Sequence, residues 1–137
     1  MMGKEKHVNT SVRVSRFIFT GLAWGLVACV VIQTFLAGMA IFSNSMYWTK
    51  HIVFVHLFEI IPILMLIFAF TGQLPKTLRW QSAGLLGLIF AQYFTANMKM
   101  IVALHPVIAL VIFLVSWIVA KRAGQWCFEP AEEGRTE

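Results

Sequence analysis

Four long apolar stretches, separated by short polar ones, run along the 137-residue chain. Phe17 to Phe42 holds no charged residue, and Ile52 to Phe70 holds one, Glu59. Gln81 to Met98 and Ile101 to Ala120 hold none. A helix rising about 1.5 Å per residue needs about 20 apolar residues to cross the hydrocarbon of a bilayer. The pattern therefore predicts four transmembrane helices, at about 17–42, 51–71, 80–98 and 101–120. The fold class it implies is all-α, a four-helix transmembrane bundle forming one membrane domain over residues 1–137. The first stretch exceeds the apolar core of a signal peptide, about 7–15 residues. A two-span reading would leave long apolar segments in water.

Within this pattern the chain repeats itself. Gln33-Thr34-Phe35-Leu36-Ala37-Gly38-Met39 matches Gln92-Tyr93-Phe94-Thr95-Ala96-Asn97-Met98, and Gly25-Leu26 matches Gly84-Leu85 in the same register. Lys50-His51-Ile52-Val53-Phe54-Val55-His56 opens the second stretch, and Lys99-Met100-Ile101-Val102-Ala103-Leu104-His105 opens the fourth. Shared Leu, Ile and Val mean little in apolar helices, but Gln, Lys and His are rare there. The order of the matches predicts two parallel-repeat helical hairpins, 20–71 and 79–120, related by an axis along the membrane normal. The second match shifts register against the first, so the first hairpin has a longer outer loop near Ser43 to Thr49. Glycines such as Gly21, Gly25, Gly84 and Gly87 read as points of close helix approach. Pro62, which lacks an N–H, is expected to kink the second span.

Composition agrees with the pattern. Hydrophobic residues make up 59% of the chain and charged residues 12%, against about 25% charged in soluble domains. The net charge of +5 suggests a nucleic-acid partner until its placement is considered. Lys4, Lys6, Arg13, Arg16, Lys76, Arg79, Lys121, Arg122 and Arg135 lie on one side of the predicted topology, and only Lys50 and Lys99 on the other. That asymmetry predicts a multi-pass membrane protein with both termini cytoplasmic. The bilayer is then its first partner, and nucleic acid is not one. Cys29 lies mid-span and Cys127 in the cytoplasmic tail, an arrangement that suggests neither a disulfide nor a metal site.

Ionisable groups inside a membrane are costly, so each is a functional candidate. His56 and His105 each stand six residues beyond their lysine, on repeat-related helices. Two imidazoles at one depth can converge on a flat cofactor, and haem b with bis-histidine ligation fits this arrangement. Another metal, or two histidines that only pack the bundle, are the alternatives. Gln33 and Gln92 are expected to orient the two rings, or simply to tie helices together. Glu59, one turn after His56, breaks the symmetry. It is a candidate proton relay or ligand contact, or else a protonated, hydrogen-bonded carboxyl. His51 points elsewhere than His56 on a helix and its repeat counterpart is Met100, so it reads as an interfacial histidine. Met39, Met46, Met98 and Met100 permit a Cu(I) reading without any tight ligand spacing. No phosphate-binding glycine loop, HExxH, CxxC or nucleophile elbow occurs, and the chain contains no aspartate.

The series Gln33-x-Phe35-x-Ala37-Gly38, His56, Leu74-Pro75-Lys76, Gln92, His105-Pro106-Val107 and Lys121-Arg122 resembles a family of small bacterial four-helix membrane proteins. The resemblance covers about Phe17 to Arg122 and implies the fold without an activity. The architecture is also similar to bis-histidine haem bundles such as the halves of haem A synthase. The expected function is thus a small membrane cytochrome b engaged in electron transfer, with a quinol or within a respiratory complex. The alternatives are a non-enzymatic accessory subunit of a larger membrane complex or homo-oligomer, and a small proton-coupled transporter.

Overall fold

A computed structural model describes residues 9–127; Lys4, Lys6, Arg135 and most of the acidic tail, used in the charge argument, lie outside the described residues. The described chain is helical with short connections. Its elements are α1 (Thr10–Phe42), α2 (Tyr47–Phe58), α3 (Ile61–Thr71), α4 (Lys76–Asn97) and α5 (Leu104–Trp126). α1 starts seven residues before the apolar pattern does, because the side chain of Asn9 accepts a hydrogen bond from the Ser11 N–H and caps it.

α2 and α3 are one helix interrupted once. Glu59 and Ile60 keep right-handed helical dihedrals, but Pro62 cannot donate to the Phe58 carbonyl and the hydrogen-bond ladder breaks there. With this pair counted as one, four helices form the bundle. α1 packs against α2, α3 and α5, and α4 packs against α3 and α5. Each helix therefore flanks its sequence neighbour and α5 closes the ring on α1, the up-down-up-down arrangement that short connections favour.

Three helices are long and apolar enough to cross a membrane: Thr10–Phe42, Tyr47–Thr71 and Leu104–Trp126. α4 is long enough, with 22 residues, but Gln81, Gln92 and Asn97 dilute its apolar character. The third predicted span thus differs from the others in composition while lying alongside them.

The core is concentrated at one end. Phe19, Ala23 and Leu26 of α1, Met65 and Ala69 of α3, Leu78 and Leu85 of α4, and Val119 and Ala120 of α5 are almost wholly buried. In α1, α3 and α4 the spacings of three, four and seven residues trace the inward stripe of the helix. Ser82 and Ser116 join this core because each hydroxyl donates to the carbonyl four residues back, Leu78 and Ile112. Toward the other end the packing thins. Among residues 31–58 and 90–111, only Ala40, Phe58 and Thr95 are buried.

Arg16, expected from the sequence only as a topological charge, is 2% exposed. Its Nε donates to the Gly72 carbonyl at 2.9 Å and its Nη1 to the Trp126 carbonyl at 3.2 Å. These carbonyls lie at the C-terminal ends of α3 and α5, where helix dipoles favour a cation. The guanidinium so pins three helices at the well-packed end. The glycine that matters here is Gly72, where a Cβ would lie 2.8 Å from the Phe68 carbonyl oxygen. Gly21, Gly25, Gly84 and Gly87 have nothing within 4 Å of a Cβ, so they do not serve the close approaches expected of them.

Candidate functional site

The loosely filled end carries the polar side chains, and they form two clusters. The first joins both hairpins. His51 is the fifth residue of α2, and its Nδ1 lies 3.1 Å from the main-chain oxygen of Gln33 on α1. His105 is the second residue of α5, and its Nδ1 lies 3.2 Å from the main-chain oxygen of Gln92 on α4. The two hairpins thus make the same contact. A carbonyl oxygen only accepts, so each imidazole carries its proton on Nδ1 and keeps the lone pair on Nε2. The two rings stand 6.4 Å apart, centroid to centroid, tilted by 56°.

The Gln33 side chain adds a second tie, its Nε2 donating to the His51 carbonyl at 2.9 Å. The Oε1 atoms of Gln33 and Gln92 are both buried with no hydrogen-bond partner. Buried acceptors of that kind are few in folded proteins and call for an explanation. Gln33 and Gln92 are a repeat-related pair, and Gln81 Oε1, also on α4, is a third such oxygen.

The structure therefore sets His51, not His56, beside His105. Aligning Lys50 with Lys99 pairs His56 with His105, whereas the contact to the glutamine carbonyl pairs His51 with His105. The difference arises at the connections before α2 and α5. α2 begins at Tyr47, four residues before its histidine, and α5 begins at Leu104, one residue before its own. The lysines consequently occupy different positions, Lys50 inside α2 and Lys99 in the turn before α5.

His56 belongs to the second cluster, with Glu59 and Tyr93. The Tyr93 hydroxyl on α4 donates to Glu59 Oε2. His56 Nδ1 lies 3.2 Å from the Tyr93 oxygen and 3.4 Å from Glu59 Oε2. Its ring stacks on the Tyr93 ring with centroids 5.9 Å apart. The His56 and Glu59 side chains are 55% and 40% exposed, so this cluster lies on the outside of the bundle. Of the five residues predicted for the site, then, Gln33, Gln92 and His105 stand together with His51, while His56 and Glu59 stand apart. Tyr93 was passed over in the sequence. Its place beside Gln92, four residues before Asn97, gave no chemical signal without the helix opposite.

Among the described residues, no three of His, Cys, Asp or Glu gather as they would around a metal ion. Met46, Met98 and Met100 are exposed, Met100 almost fully, and do not build a thioether site. Cys29 is a half-buried free thiol, and Cys127, also free, contacts the Thr20 hydroxyl at 3.2 Å.

Residues 33–100 match a protein family of unknown function (DUF6220). The matched segment includes Gln33, His51, His56, Glu59, Gln92 and Tyr93 and stops before His105. No curated protein and no solved structure matches the chain.

Proposed function

We propose that this chain is a small membrane cytochrome b, a four-span protein in which His51 and His105 would hold a haem b. The observation that carries the proposal is the pair of Nδ1-protonated imidazoles facing one another across the two hairpins. The two ring centroids lie 6.4 Å apart, so both imidazoles could contact one bound group. The main-chain oxygens of Gln33 and Gln92 supply the outer hydrogen bonds that ligating histidines use to hold their orientation. The sparse packing around them supports room for a planar group.

A haem held this way carries single electrons. The chain's own residues would hold such a group near the end of the bundle opposite Arg16. Nine of eleven basic residues on one side of the topology support an orientation with both termini cytoplasmic and the site in the outer leaflet.

The test is the absorption spectrum of protein purified in detergent from cells supplied with haem, oxidised and then reduced. A Soret band with sharp reduced α and β bands is the expected outcome. His51→Ala and His105→Ala should each lose it, and His56→Ala should keep it. A featureless spectrum removes the cytochrome reading. Loss in His56→Ala with retention in His51→Ala would return the ligand role to His56.

A further inference from the structure

The cluster of His56, Glu59 and Tyr93 is the least comfortable feature of the molecule in a bilayer. Glu59 stands at the centre of the apolar stretch Tyr47–Thr71, twelve residues from either end. At about 1.5 Å per residue this is about 18 Å from each, near the middle of the hydrocarbon. Its carboxyl and the neighbouring imidazole are nevertheless open to the outside of the bundle. Ionisable side chains at that depth normally face the protein interior. Something that lives in the lipid and carries polar groups must meet them.

The hydrogen bonds already made define what those groups must be. The Tyr93 hydroxyl gives its proton to Glu59 Oε2. It has no second proton, so at the contact with His56 the Nδ1–H is the donor. The imidazole then presents its Nε2 to a ligand, and the carboxylate presents its Oε1, an acceptor. The nearby ladder break adds to this, because the Phe58 carbonyl loses the N–H that Pro62 lacks. Around the cluster, Leu57, Ile60 and Ile63 are exposed apolar side chains suited to a hydrocarbon chain.

From this geometry we infer that His56 and Glu59 form a binding site, entered from the lipid, for the headgroup of a hydrocarbon-tailed hydroquinone. Such a ligand partitions into the bilayer, and its ring carries two O–H donors. One hydroxyl donates to Glu59 Oε1 and the other to His56 Nε2, with the tail along the apolar face of α2 and α3. The oxidised quinone has only acceptors, which the Glu59 carboxylate cannot satisfy, so the site prefers the reduced form. This goes beyond the haem reading and does not require it.

The experiment is titration calorimetry on the full chain in lipid nanodiscs, under anaerobic conditions, with a benzohydroquinone carrying a decyl tail and with the corresponding quinone. The hydroquinone should bind at least about tenfold more tightly, the worth of one hydrogen bond to a charged group. Glu59→Leu should abolish that preference while keeping the helical circular dichroism of the parent. Tyr93→Phe, which frees a carboxylate oxygen, should retain it. Equal binding of the two forms by the unaltered protein overturns the assignment. So does a disulfide cross-link between copies carrying Ile60→Cys, because a second copy then covers the site. Binding is read without any chromophore. Haem-free protein that prefers the hydroquinone would support this site while removing the cytochrome reading.

Discussion

At the scale of single residues, identical side-chain types do opposite jobs according to what surrounds them. His51 and His56 are five positions apart on one helix, yet one faces a carbonyl and a second imidazole and the other faces the outside with a carboxyl. The glycines divide in the same way. A methyl group at Gly72 meets the Phe68 carbonyl oxygen at 2.8 Å and Arg16 Cγ at 3.3 Å, where backbone and a pinned guanidinium leave little room to yield. Gly72→Ala should destabilise the protein by about 1–3 kcal/mol, the usual cost of overpacking. Gly84→Ala, with open space around its new methyl, should be neutral or stabilising by up to about 1 kcal/mol, since helix-interior glycine is itself unfavourable. Denaturant unfolding of both variants checks this; the reverse order would mean that the Arg16 anchor does not hold the bundle.

At the scale of elements, the break between α2 and α3 is the controlling event. Pro62 interrupts the ladder where Glu59 leaves the helix, and this lets a polar cluster form halfway along an apolar span. Pro62→Ala restores a donor to the Phe58 carbonyl. Amide exchange at Glu59 to Ile63 should slow by up to about tenfold, as one added hydrogen bond allows. Unchanged exchange would assign the break to packing against α4 instead. The kink at Pro62 was legible in the sequence, because proline acts locally. The glycine contacts were not, because whether a methyl fits depends on a neighbouring helix.

At the scale of the whole molecule, the two ends differ. The Arg16 end is closed by buried Phe19, Met65, Leu78, Leu85 and Val119, and it holds the helices in place. The other end has few buried side chains and carries the facing histidines. Filling that end should stabilise the fold by mass action, about 2.7 kcal/mol at a haem concentration 100 times its Kd. Hydrogen exchange should then slow in 47–58 and 104–111 while hardly changing in 65–85 and 112–123. Equal slowing throughout would argue that haem, if bound, sits elsewhere.

The sequence by itself determined the all-α class, the long apolar helices and the polar residues they carry. Each follows from local composition, because apolar length and the rarity of Gln and His in such helices are properties of short segments. The tertiary structure decided which histidine faces His105. That depends on where the preceding connections start α2 and α5, a shift of a few residues that turns a side chain to another face of its helix. It also decided that Tyr93 completes a cluster with His56 and Glu59, and that Arg16 is a buried clasp. These contacts join residues tens of positions apart, and no pattern along one helix specifies the helix opposite.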